Sequence, residues 1–282
     1  MAKNKKDETE LQTTGTTAVQ AFDYGEDAVP MGQVAPGYEN QGSDDTAIPF
    51  IVLLQANSPV VVEQKVEGAQ AGMFLNTVTQ QLWSNKDPLY IVPALTRHEF
   101  VEYVPRDAGG GFVGRHEIDS DVVLQAKADA KKNGLAFGEY YVGENELTET
   151  FYIFGVACTL ERAIGMAIVP FKSTGIKCYK HWMTQVRSHT VDTPNGKKIP
   201  PLFAHLGKLT TDFRKNNDGS FFVPVYTPAI DGNVGRSCLS PDDERFKMAK
   251  ALKNLVDSGT AKVNYDQQNT SGTGGKDGQP PF

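Results

Sequence analysis

The chain has 282 residues, 39% apolar and 22% charged, which is enough to bury a proper core in one large domain or two small ones. No stretch approaches the roughly 18 to 20 apolar residues of a membrane span, and the start MAKNKKDETELQ lacks the apolar centre of a secretory signal. Three widely spaced cysteines (Cys158, Cys178, Cys238) argue against a disulfide framework, so the chain reads as cytosolic.

The net charge of -6 belongs to one end. Residues 1–45 carry three bases against nine acids, and the remainder is neutral. An acidic total therefore does not exclude an anionic partner.

In chain order, residues 1–46 are rich in Thr, Gly, Gln and acids and read as a disordered acidic segment. IPFIVLLQA (48–56) is a continuous apolar run, expected as a strand buried on both faces. PVVVEQKV (59–66), β-branched and partly alternating, reads as another strand. LYIVPALTR (89–97) and HEFVEYVPR (98–106) follow as two more, with Pro93 placing the first at an edge or a bulge. Residues 107–111 form a glycine-rich turn before a short strand around FVGRHE. Asp119, Ser120 and Asp121 cap a helix that runs to about Lys132 and stops at Gly134.

TFYIFGVACTL (150–160) and GMAIVPF (165–171) read as a hairpin. A second helix starts at Ser173 or Thr174, with Ile176, Tyr179, Met183 and Val186 as its apolar stripe. HLGKLTTDFRK (205–215) and SFFVPVYTP (220–228) flank NNDG, a strong hairpin signal. A third helix opens at Pro241 among acids, carries Met248, Leu252, Leu255 and Val256, and ends at Gly259. The pattern predicts a mainly β (α+β) domain over 47–264, built as an OB-like barrel or a curved antiparallel sheet with about three helices. Residues 265–282 read as a flexible tail, so both termini are expected to be disordered.

Residues 172–215 hold nine bases and two acids. The bases are Lys172, Lys177, Lys180, Arg187, Lys197, Lys198, Lys208, Arg214 and Lys215, and Tyr179, Trp182, Phe203 and Phe213 are interleaved with them. A single-stranded polyanion wants that combination. Cations replace condensed counterions along the phosphates, and aromatic faces accept unstacked bases at about 1–3 kcal/mol each. Trp182 and Phe213 are the expected stacking residues, while Tyr179 falls on the apolar stripe and reads first as core. A merely solvated basic face is the competing reading.

Other chemistry is thinner. Cys178 and His181 share a helix face but lack a second compact ligand pair, so no zinc site is expected. Glu99, Glu102, Asp107, His98 and His116 cluster around a predicted hairpin, yet carboxylates on strand faces are ordinarily just solvated. No glycine motif for phosphates is present. The expectation is a protein that is not an enzyme and needs no cofactor or metal. The closing DGQPPF ends in Pro281 and Phe282, as the partner-docking tails of bacterial single-stranded-DNA-binding proteins do, but with Asp277 as its only acid.

IPFIVLLQANSP, EGAQAGMFLNTVT, VPRDAGGGFV, FKSTGIKCYKHW and PPLFAHLGKLTT together resemble a group of tailed-bacteriophage early or replication-module single-stranded-DNA-binding proteins. The resemblance covers most of 48–260 and neither terminal segment. It implies a phage protein that coats single-stranded DNA in the cytoplasm of the infected host during replication and recombination. Docking of replication or recombination proteins through the tail, and self-association, are further partner expectations; a membrane is not. The alternative is a phage interaction or structural protein whose basic face binds an acidic protein.

Overall fold

The computed structural model describes Gly37, 47–216 and 219–259. Apart from Gly37, the acidic N-terminal segment expected over 1–46 lies outside the described residues, as does the tail expected over 265–282 with Pro281 and Phe282.

The chain opens with β1 (Ile51–Leu53), a single helical turn α1 (Pro59–Val62), β2 (Phe74–Asn76) and β3 (Leu82–Trp83), and the three strands form a small antiparallel sheet. The main sheet uses β4 (Leu89–Tyr103), β5 (Phe112–Glu117), β6 (Tyr141–Val142), β7 (Asn145–Cys158) and β8 (Ala163–Lys172), with α2 (Asp121–Asn133) inserted after β5. Helix α3 (Thr174–Ser188) leads into a two-stranded ribbon, β9 (Val191–Thr193) and β10 (Gly196–Lys198). The hairpin β11 (Gly207–Asn216) and β12 (Gly219–Pro228) joins the main sheet, and α4 (Glu244–Asp257) closes the described chain.

All the ladders are antiparallel, in the order β12-β11-β4-β7-β6, with β5 also on β4 and β8 also on β7. The protein is thus mainly β, with a curved antiparallel sheet. Among the described residues no ladder joins β12 to β8, so the sheet is open and the closed OB-like barrel is not formed.

Two apolar layers sandwich the sheet. On one face α4 contributes Ala249, Leu252 and Val256 to a core with Val92, Tyr152, Phe154 and Ile168. On the other, α3 contributes Tyr179, Trp182 and Val186 to a core with Ile91, Ile153, Phe171, Leu209 and Tyr226. Residues 50–52 feed both, Phe50 and Val52 into the first and Ile51 into the second, as the continuous apolar run predicts. A third cluster lies under α2, where Val123 and Ala126 meet Phe100 and Leu147.

Two local differences from the expected elements have physical causes. The segment 59–66 turns into α1 because Pro59 sits at its first position and Ser58 Oγ accepts from the Gln55 amide at 2.8 Å, folding the chain back. Residues 89–103 form one long strand in place of the two expected over 89–106, since β7 pairs with it from Tyr90 to Tyr103. Pro93 stands at a register shift, in keeping with the bulge expected from the sequence, and neither β11 nor β5 reaches it on the other edge. Gly155 lies opposite; a Cβ there would stand 2.6 Å from the Val92 carbonyl oxygen.

Candidate nucleic-acid interface

Helix α3 turns about 100° per residue, which separates its sequence into two faces. Gly175, Tyr179, Trp182 and Val186 are buried, with Ile176, Cys178 and Met183 half-buried beside them. Lys177, Lys180, His181, Thr184 and Arg187 are exposed on the opposite arc. Trp182 is therefore a correction: it is 1% exposed, with its ring 4.4 Å from that of Tyr226, and offers no face to a base. Its angular position lies about 60° to one side of Tyr179, while Met183 lies about 40° to the other, so the core stripe is wider than four residues. Tyr179, at 7% exposure, is core as well.

Helix α3 is locked against β12. A Cβ on Gly175 would stand 3.0 Å from Pro224 Cγ, so the helix start lies close against that strand. One turn on, the Tyr226 amide donates to Cys178 Sγ at 2.8 Å, which gives the thiol a structural partner. Burial pushes the Cys178 thiol up from its ordinary range, away from a metal-binding thiolate.

The β11–β12 hairpin pairs with β4 only through Gly207, Lys208 and Leu209. From Thr210 to Asn216 and back from Gly219 to Val225 its strands pair only with each other, forming an arm that runs past β4. On each open backbone edge one residue is bonded by a side-chain amide. The Thr211 amide donates to Asn85 Oδ1 at 2.8 Å, and Asn85 Nδ2 donates to the Thr211 carbonyl at 2.8 Å. On the outer strand the Phe222 amide donates to Gln55 Oε1 at 2.9 Å, and Gln55 Nε2 donates to the Phe222 carbonyl at 2.8 Å. Each amide replaces one residue of a missing neighbouring strand. They fix the direction of the arm. Near its tip Phe213 is 58% exposed and packs edge-on against Phe222 at 5.2 Å; Lys215 is exposed on the same strand face, and Arg214, also exposed, lies on the alternate face with Asp212. Arg214 also meets Asp212 at 3.3 Å, a surface pair worth at most about 1 kcal/mol.

The predicted residues thus fall into groups. The arm adjoins the N-terminal end of α3 through Pro224, the exposed cations follow along the helix, and the β9–β10 ribbon with Lys197 and Lys198 comes after its C-terminal end. Lys197 meets Asp192 at 3.2 Å across that ribbon. Two residues are not brought to this side. Lys208 neighbours Leu209 of the α3-side core and pairs with Tyr90, which packs on the α4 side, so strand alternation turns it to the opposite face. Lys172, likewise next to Phe171 of the α3-side core, turns away and donates to the Tyr103 hydroxyl at 3.0 Å, its ammonium 4.6 Å from that ring's centroid.

Desolvation pushes the Lys172 amine down to about 7. Between about pH 7 and the ordinary lysine range the unfolded chain then binds more protons than the folded one. Stability from this group rises with pH through that window and is lowest below it. Lys172→Met should melt at a higher temperature than wild type near pH 7, with the difference shrinking toward about pH 9 in paired thermal melts. A difference that does not change with pH would contradict a depressed amine.

The ionisable cluster of β4 and β5 is already spent on pairwise contacts. His98 meets Glu149 at 2.8 Å, His116 meets Glu102 at 2.8 Å, Asn145 donates to Glu102 at 2.6 Å, and Arg115 donates to Glu99 at 2.9 Å. Among the described residues no three His, Cys, Asp or Glu side chains converge on a metal-sized site, and no helix is long and apolar enough to cross a membrane. Gln55, Asn85 and Phe222 carry no signal in the sequence as functional residues, since their importance depends on where β11 leaves β4.

The fold defines a mainly β protein with an open sheet, one cationic helix face and a projecting hairpin. The chain belongs to the Pam3 phage gp34-like protein family, whose model matches residues 18–262, and it is therefore a bacteriophage-family protein. The match begins inside the acidic N-terminal segment. No curated protein and no solved structure matches the chain.

Proposed function

We propose that the chain is a non-enzymatic, sequence-tolerant single-stranded-DNA-binding protein that serves phage DNA replication and recombination in the cytoplasm of the infected host. The observation that carries this reading is the arm: an exposed phenylalanine followed by two exposed cations, held in direction by two side-chain amides and adjoining the start of a helix whose solvent face is cationic. Every nucleotide offers a phosphate to a cation and a flat face to a ring, so such a surface has no need to read sequence. A duplex hides its base faces and leaves Phe213 unused. Membership of a phage family supports the setting.

Fluorescence anisotropy with labelled oligo-dT, a duplex of the same length and polyglutamate tests the reading. Oligo-dT is expected to bind at least about tenfold more tightly than the duplex, since the stacking contribution is lost there. Equal affinity for polyglutamate and oligo-dT would transfer the surface to an acidic protein partner and overturn the DNA reading. Within the DNA reading, Lys197→Ala/Lys198→Ala should lower the slope of log affinity against log salt by about one to two contacts' worth, with little effect on folding because both side chains are exposed.

A further inference from the structure

A second surface lies away from the arm. Six large apolar side chains within 118–141 are exposed: Ile118, Val122, Leu124, Leu135, Phe137 and Tyr141, with Leu124 at 53% and Phe137 at 87%. On α2 itself Val122 and Leu124 stand on opposite shoulders, and Leu124 is the nearer to the outward face. Helix α2 buries Val123, Ala126 and Ala130 inward, over Phe100 and Leu147. Its outward stripe is Asp121, Gln125, Ala128 and Lys132, all exposed, and Leu124 sits on the shoulder of that stripe.

The order of charge along α2 selects an occupant. Asp121 stands in its first turn and Lys131 and Lys132 in its last. That order suits the helix dipole, and it also makes two copies of α2 complementary only when they run antiparallel. Antiparallel packing of identical helices is what a two-fold axis generates. With the axis crossing near the helix middle, Asp121 faces the partner's Lys132 at either end, about 16 Å of helix apart. The neutral Gln125 and small Ala128 then occupy the crossing point, where close approach is needed. The outward stripe carries one acid and one base, Asp121 and Lys132, and so offers a nucleic acid no net positive charge.

We propose that the protein forms a two-fold homodimer through α2, with Leu124 and Phe137 as its apolar anchors and Asp121 paired to the partner's Lys132. This inference is independent of DNA binding and is tested without DNA, by sedimentation of the full chain over the micromolar range. Wild type is expected at twice the chain mass. Leu124→Asp/Phe137→Asp should weaken association at least about tenfold, the scale of losing one interface anchor. Asp121→Lys alone should also weaken it, and Asp121→Lys/Lys132→Asp should restore it, although both changes oppose the helix dipole. Restoration is a readout that a purely structural role for α2 would not give. A wild type that sediments at the single-chain mass throughout, a dimer untouched by Leu124→Asp/Phe137→Asp, or a double charge exchange that fails to rescue would each overturn the proposal.

Discussion

Replacing Phe213, Arg214 and Lys215 together with alanine is expected to weaken oligo-dT binding about 100-fold at low salt. The estimate combines one lost base stack, about 1–3 kcal/mol, with two lost phosphate contacts, at 1.4 kcal/mol per tenfold. All three side chains are exposed, and the base of the arm is held through Thr211 and Phe222, so the fold should be unaffected. Phe213→Ala alone should lower affinity while leaving the salt slope in place, whereas Arg214→Ala/Lys215→Ala should lower both. Lys208→Ala, on the opposite face of the sheet, is the internal control and should change affinity by less than about twofold. A triple variant that binds like wild type would remove the arm from the interface.

Trp182→Ala is expected to act on stability, at a cost of about 3–5 kcal/mol, because it deletes one of the largest fully buried side chains and leaves a cavity against Tyr226. For a protein of ordinary marginal stability this is a large share of the total. Chemical denaturation should show the midpoint falling, and any loss of DNA binding should follow the folded fraction. A variant that keeps wild-type stability yet binds DNA poorly would place the indole in the interface after all.

The fate of Trp182 shows where sequence reading reaches its limit. The helix itself was legible from Ile176, Tyr179, Met183 and Val186, all of which do face the core side. The width of the buried arc was not, because it depends on β12 and Tyr226 arriving from more than forty residues away. Local signals served well where they are self-contained. Gly134 ends α2 in the left-handed conformation, the acids after Pro241 do stand at the start of α4, although it opens only at Glu244 after the cap Asp243, and β11 and β12 pair up to Asn216 and Gly219, as the hairpin signal between them predicts.

Tertiary pairing decided the rest. Strand β4 is sustained across Pro93 by β7, and a β-branched run becomes α1 because a serine and a proline begin it. The charges were legible as a segment, but strand alternation sends Lys172 and Lys208 to the other face. The two amides that aim the arm are single residues remote in sequence from it, and nothing local distinguishes them from surface polar residues.

The central claim is that the arm and the exposed arc of α3 grip single-stranded DNA by phosphate charge and base stacking. The most direct test is the salt dependence of oligo-dT affinity for wild type beside the Phe213, Arg214 and Lys215 triple variant. Tight binding at low salt, a steep linear fall of log affinity with log salt for wild type, and a weaker, shallower line for the variant are expected. No measurable binding of oligo-dT at low salt, or two coincident lines, would contradict it.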